Sequence, residues 1–198
     1  MELSIIPSHD APGHLAALHA YHGLRHRIFT SENGLARRDL YSAGGLEADI
    51  WDLPIFEPVH FLVQHETRAI ACGRMTSSQH PTMMEVLYPH FVEGPCPRAA
   101  EVWEVQRLGV DPVLPGMQKN YALLLMIVGM QRYAQSIGAK TIMLLTLEQI
   151  YEKRLTMMRP MGPAQIFLGV PHIALINDLC EDEIQLMEAA LAALKDHV

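Results

Sequence analysis

Val102-Trp103-Glu104-Val105-Gln106-Arg107-Leu108-Gly109-Val110-Asp111-Pro112 is the stretch that decides how this chain folds. β-Branched and aromatic residues dominate its first nine positions and Asp-Pro stops it, so it reads as a buried strand. Glu104 and Arg107 are out of place there. Burying either charge alone is costly, so each must meet an opposite charge, a solvated cleft or a ligand. Side chains alternate along a strand, which sends residues three apart to opposite faces. If both charges serve one cleft, the strand carries a bulge between them.

Downstream of that strand, Pro112 to Asn120 reads as a loop with two prolines and Gly116, followed by an apolar helix over Tyr121 to Ile137 that Gly138 caps. A strand, a loop and a buried helix together turn free backbone N–H groups toward an anion, commonly a phosphate, and Lys119 adds a charge there. Thr141 to Thr146 is the next buried strand. Leu147 to Met158 reads as a helix with Glu148, Glu152, Lys153 and Arg154 on its polar side. Ile166 to Val170 and His172 to Ile176 read as a closing strand pair. Glu181 to His197 reads as an amphipathic helix with acids in its first turn.

Upstream, Leu3 to Ile6 is a short strand, and His14 to Phe29 carries Leu15, Leu18, Tyr21, Leu24 and Ile28 at helical spacing. Arg25 lies one turn before Phe29, and spacing alone favours a solvated helix charge. Thr30 to Trp51, with Asn33-Gly34, Gly44-Gly45, Arg37 and Arg38, reads as a lid or binding loop. Within it Glu47, Asp49 and Asp52 beside Trp51 could grip an amine or a sulfonium, or form a solvated acidic loop. His60 to Gln64 and Ala69 to Thr76 form a plausible hairpin, with Arg74 as another charge in an apolar run. Ser77 to Arg98 is broken by prolines, and Met83, Met84, Leu87, Tyr88 and Phe91 supply either core packing or the wall of an acyl pocket.

The chain has 198 residues, 49% of them hydrophobic, and no Gly/Ser/Pro-rich linker, so one domain over 1–198 is expected. A net charge of −7 argues against nucleic acid as a partner. Cys72, Cys96 and Cys180 fit neither a disulfide framework nor a zinc spacing and read as inert thiols. The eleven histidines lack the spacing of a zinc helix, so no metal site is expected. The N-terminus lacks the pattern of a signal peptide, and the longest apolar run, Tyr121 to Met130, falls short of the roughly 20 residues that span a bilayer. A soluble cytoplasmic protein with no membrane partner is the expectation.

The order of elements resembles the GNAT acyltransferase fold, and the polar residues resemble the acyl-homoserine-lactone synthase family, the LuxI-like autoinducer synthases. Arg25 and Phe29 match that family's Arg four residues before a Phe; Glu47, Asp49 and Asp52 match its Glu-x-Asp-x-x-Asp; His60 to Val63 match its His-Phe-Leu-Val strand. Arg74 follows, with Tyr88 fourteen residues later where Phe is usual, and Trp103, Glu104 and Arg107 complete Trp-Glu-x-x-Arg. The match is ordered over about residues 21 to 112 and looser to about 176. Leu35 stands where the family has Trp after Gly34, Gln106 where it has Ser, and Leu108 where it has an aromatic.

The resemblance implies an α/β, single-domain GNAT-like fold: a mixed central sheet flanked by helices, with a V-shaped acyl-donor cleft. It implies acyl transfer from an acyl carrier protein or acyl-coenzyme A thioester to the amine of S-adenosylmethionine, a substrate here, with lactone closure and release of methylthioadenosine. No cofactor is expected. Glu104 and Arg107 would be catalytic, Glu104 as general base. Arg25, Phe29, Asp49, Asp52, Arg74, Tyr88, Trp103 and Thr146 would bind or position the amine substrate, or tie the lid to the strand. Met83, Met84, Met126, Met143 and Leu145, beside Tyr88 and Trp103, would line the acyl pocket. Gly116, Lys119, Lys153 and Arg154 would meet the phosphopantetheine. An N-acyltransferase acting on another amine, and a non-catalytic ligand-binding relative, are the alternatives.

Overall fold

The computed structural model describes residues 1–31, 41–154 and 157–195. Strand β1 (Glu2–Pro7) leads through a 3-10 turn into helix α1 (Leu15–His26), whose end widens into a π-helical turn over Arg27–Ser31. Strands β2 (Tyr41–Ala43) and β3 (Leu46–Ala48) form a hairpin inside the stretch read as loop. Gly44 and Gly45 both have positive φ, 60° and 79°, the two-residue turn that joins strands with the native twist. After 3-10 turns over Ile50–Asp52 and Pro54–Phe56 come β4 (Val59–His65), β5 (Arg68–Ser77), α2 (Met83–Leu87) and β6 (Val102–Val110). The chain continues through α3 (Gly116–Ser136), β7 (Thr141–Leu147), α4 (Glu148–Arg154), β8 (Arg159–Pro160), β9 (Gln165–Phe167), β10 (Val170–Asp178) and α5 (Glu181–Lys195).

The main sheet runs β1-β4-β5-β6-β7-β10-β8, with β9 on β10. It is mixed: β6 and β7 pair in parallel over Val102–Val105 and Thr141–Leu144, whereas β1 with β4 and β7 with β10 are antiparallel. The chain divides into two compact units. One comprises Met1–Arg74, Arg107–Tyr133 and Cys180–Val198, and the other Met75–Gln106 and Ala134–Leu179, so β5 and β6 each contribute to both.

In the first unit α1 packs Tyr21, Leu24 and Ile28 onto Leu62, Ala69 and Cys72. Leu15, expected on that face, is 70% exposed because the helix only begins there. Gly109 lets the π-helical turn approach β6: a Cβ added there would lie 3.0 Å from Ile28 and 3.2 Å from Phe29. The second unit is built on Met83, Met84, Phe91, Met143, Ala174 and Leu175, all buried.

Helix α3 starts at Gly116 and not at Tyr121. Met117, Gln118 and Lys119 are good helix formers, and the Lys119 N–H already bonds Pro115 O at 2.9 Å. Lys119 is thus a first-turn residue, its ammonium donating to Pro112 O, and the loop is shorter than its two prolines suggested. Gly138, with φ 81°, ends α3 as read from the sequence.

Candidate active site

Charged residues of the first unit that are far apart in sequence meet in one buried cluster. Arg25, on the inner face of α1, is fully buried and not solvated. Its guanidinium reaches three carboxylates: Nε donates to Glu47, Nη1 to Asp52 at 2.7 and 2.9 Å, and Nη2 to Asp49 at 3.1 Å. Arg74 from β5 donates to Asp49 at 2.7 and 3.1 Å and to Asp52 at 2.6 Å. Arg107 from β6 lies 3.3 Å from Glu47 and 3.0 Å from Asp49. Three arginines therefore face three carboxylates, and the cluster is neutral as a whole. Balance is what makes such burial tolerable, since an unpartnered charge here would be expelled or neutralised.

The local sequence builds the acidic side. Asp49 caps the turn Ile50–Asp52 by accepting from the Trp51 N–H at 3.0 Å, while Asp52 accepts from the Asp49 N–H at 2.8 Å. This is reciprocal capping at a spacing of three, and the same two side chains then turn to the arginines. The acidic stretch is not a solvated loop: Glu47 and Asp49 are buried, as is Trp51.

Burial alone would raise the Asp52 carboxyl, but Arg74 and Arg25 override it and hold it well below the usual carboxylate range. Asp49 is lowered in the same way, with Arg74 opposing burial most strongly. Burial likewise works against Arg25, yet Tyr21, Asp52, Glu47 and Asp49 keep its guanidinium charged. Burial pushes the His22 imidazole down, against the pull of Asp52, and pushes the Cys72 thiol up to about 12. Cys72, Cys96 and Cys180 are all free.

Sequence reasoning did not single out His22 and His60 as a pair. His22 Nδ1 bonds Glu47 O at 2.8 Å, and His60 Nε2 lies 3.3 Å from Asp52. Ligand-type atoms of His22, Asp52 and His60 lie within 4.8 Å of one another, a spacing that could hold a metal ion. Asp52 is already bound by two guanidiniums, however, and a cation there would stand against both.

Arg107 has a φ of 53°, left-handed backbone that a non-glycine residue adopts at a cost of about 1 kcal/mol or more. Regular alternation along β6 is broken at this point, as a bulge requires. Its guanidinium stands 5.6 Å over the ring of Phe29, which the π-helical turn delivers.

Glu104 belongs to the second unit. Its carboxylate accepts from the backbone N–H groups of Met83 at 2.8 Å and Met84 at 2.7 Å, and from Gln106 Nε2. Glu104 therefore caps α2, whose first N–H groups have no partner within the helix. The sequence gives no local sign of this, because cap and helix are 20 residues apart.

Met83 and Met84 are buried at the start of α2, and Met143 is buried with its sulfur 3.9 Å from Cys96. Leu145 and Thr146 are half-buried on β7. Tyr88 packs edge-on against Phe91 and Phe167, and the half-buried Trp103 donates its indole N–H to Ala100 O at 3.1 Å. Met126 is fully buried in the first unit. Gly116 opens α3, Lys153 is exposed on α4, and Arg154 ends α4. The side chain of Arg154, and Asn33, Gly34, Leu35, Arg37 and Arg38, lie outside the described residues.

A mixed sheet with this strand order and its helices places the chain in the GNAT-like acyltransferase fold. The structure of an acyl-CoA N-acyltransferase from Pseudomonas aeruginosa aligns over 89% of this chain and 98% of its own, with a TM-score of 0.58 and 14% identity. The CoA-dependent acyl-homoserine lactone synthase BjaI, solved with SAM and isopentyl-CoA, aligns over 96% of this chain and 89% of its own, with a TM-score of 0.83 and 19% identity.

Residues 14–166 match the autoinducer synthase family, and the chain belongs to that family. The acyl-homoserine-lactone synthase of Aeromonas salmonicida is 33% identical over 88 residues, 44% of this chain and 40% of that protein. The matched stretch thus spans about two fifths of that curated relative. No helix among the described residues is long and apolar enough to cross a membrane.

Proposed function

We propose that this protein is an acyl-homoserine-lactone synthase, joining an acyl thioester to S-adenosylmethionine. The observation that carries this reading is the convergence of Arg25, Glu47, Asp49, Asp52, Arg74 and Arg107, the ordered charges of the family pattern, into one balanced cluster. BjaI, of the same fold and CoA-dependent, was solved with SAM and isopentyl-CoA, which supports an S-adenosyl substrate and a thioester donor here.

The chemistry has two steps. The α-amine of S-adenosylmethionine attacks the thioester carbonyl carbon, the C–S bond breaks, and the thiol leaves. The carboxylate then attacks the carbon bonded to sulfonium, closing the lactone and releasing methylthioadenosine. An α-amine has a pKa of about 8, so much of it is protonated at neutral pH and a base assists. Glu104 takes that proton, directly or through one water, from an orientation fixed by three N–H donors. A strand N–H near Val105 or Gln106 serves the developing oxyanion.

The buried cluster acts as a frame. With Asp49 and Asp52 turned to arginines, it pins the capped turn to α1 and β5 and fixes the backbone and Trp51 around the adenosyl substrate. Met83, Met84, Tyr88, Trp103, Met143 and Leu145 of the second unit form the acyl wall, and Lys153 of the same unit meets the phosphopantetheine of a carrier protein or coenzyme A. Both substrates are cytoplasmic metabolites, and the enzyme works there.

The test mixes purified protein with S-adenosylmethionine and a panel of acyl-carrier-protein and acyl-coenzyme A thioesters, then reads methylthioadenosine and acyl lactone by mass spectrometry. Both products together uphold the reading. Acylated amine without methylthioadenosine assigns instead an N-acyltransferase, and thioester binding without product a non-catalytic relative.

A further inference from the structure

Helix α2 is only five residues long, and its opening N–H groups are satisfied by side chains. The Glu85 N–H goes to Thr82 Oγ1 at 3.1 Å, while those of Met83 and Met84 go to the two oxygens of Glu104. So short a helix is marginal by itself, and its position depends on where that carboxylate is held.

Gln106 does the holding. It stands two residues beyond Glu104, on the same side of β6 by strand alternation. Its side-chain nitrogen donates both to Glu104 Oε2 and to Thr76 Oγ1, the latter at 3.1 Å. A primary amide carries two N–H bonds, and both are used. Thr76, Gln106 and Glu104 are all buried, so a donor lost here is not replaced freely by water. The result is a continuous run of hydrogen bonds from the end of β5, through β6, to the start of α2, all within the second unit. A serine here would have one hydrogen and a short side chain, and could not donate to both partners at once. The amide of Gln106 therefore adds a constraint on Glu104.

We propose that Gln106 is a positioning residue for acyl transfer: by bridging Thr76 and Glu104 it holds the Glu104 carboxylate against the start of α2. It acts on turnover through Glu104 and on the acyl wall through Met83 and Met84, without touching the adenosyl substrate. The link to turnover rests on the reading of Glu104 as the base; the hold on α2 does not.

Gln106→Met keeps the length of the side chain and removes both donors. In the full-length protein, amide hydrogen exchange followed by NMR should show Met83 and Met84 exchanging at least tenfold faster. The Asp111 amide, bonded to Ile70 O in the first unit, serves as an unaffected control. In the same variant kcat for product formation should fall at least tenfold while KM for S-adenosylmethionine stays within about twofold. A role in general stability alone would not split the two constants in this way. Thr76→Val removes the far anchor and should give the same pattern more weakly, and it carries the comparison if Gln106→Met does not fold. In a Glu104→Gln background, Gln106→Met should add little to the exchange of either amide.

Unchanged exchange at Met83 and Met84 in both variants overturns the positioning role whatever the activity. Faster exchange with an unchanged kcat overturns its link to turnover. A wild-type protein that makes no methylthioadenosine from any thioester defeats the functional reading, and the amide measurements still decide whether Gln106 holds Glu104.

Discussion

Arg25→Met is the sharpest probe of the charge cluster. The substitution removes a fully buried guanidinium that bonds Glu47, Asp49 and Asp52 together, and leaves three carboxylates facing Arg74 and Arg107. Asp49 and Asp52 keep Arg74, and Glu47 keeps Arg107 at 3.3 Å, so one negative charge is left uncompensated. Breaking a buried pair in this way costs about 3–5 kcal/mol, a large part of the roughly 5–15 kcal/mol that keeps a domain folded. With a urea m-value of about 2 kcal/mol/M, the unfolding midpoint should fall by about 1.5–2.5 M. Adding Glu47→Gln restores a balance of two against two, and the double variant should regain on the order of 1–2 kcal/mol. The deficit of Arg25→Met should also be smaller at pH 5 than at pH 8, because an uncompensated buried carboxylate takes up a proton. A midpoint shift below about 0.3 M, or a double variant as unstable as the sum of its parts, would refute the balanced-cluster argument.

The wild-type protein should lose stability as pH falls, in two windows read from urea midpoints against pH. His22 is lowered in the fold, so its share is present above the ordinary imidazole value of about 6.5 and fades below it. Asp49 and Asp52 are also lowered, and their share is lost only as pH drops below the unfolded carboxylate value of about 4. Glu104→Gln should reduce turnover by about a hundred- to ten-thousand-fold in a protein that stays folded, measured as initial rates of methylthioadenosine release; near-normal rates would remove the base role. The same change aims an amide NH2 at one of the two N–H groups that Glu104 now accepts, costing about 1–3 kcal/mol. Gly162→Ala would put a methyl 2.6 Å from the Phe91 carbonyl oxygen, and backbone cannot step aside. Overpacking of about 1–3 kcal/mol should lower the melting temperature by roughly 2–12 °C in calorimetry. Gly73→Ala, which meets the flexible end of Met130, should cost clearly less.

Several features were legible because their causes are local. The 3.6-residue spacing of Tyr21, Leu24 and Ile28 gave α1, the apolar runs gave β4 to β7, and Gly138 gave the end of α3. Other signals were present but read too coarsely. Gly44-Gly45 announced a tight hairpin, Asp49 and Asp52 stand at capping-box spacing, and Glu104 and Gln106 share a face by strand alternation. Helix α3 began earlier than its apolar run, since Met117 to Asn120, which follow Gly116 at its start, contain no breaker.

By itself the sequence determined most of the order of elements and marked Arg74, Glu104 and Arg107 as charges that an apolar setting could not leave alone, while spacing alone read Arg25 as solvated. Only the tertiary structure decided their partners. Arg25 meets acids 22 to 27 positions away, and Glu104 caps a helix 20 positions upstream. Pairings at such distances leave no trace in local periodicity, because the cost of burying a charge fixes that it must be matched but not which residue matches it. The folded backbone makes that choice, including the left-handed turn at Arg107 that ends the regular alternation of β6.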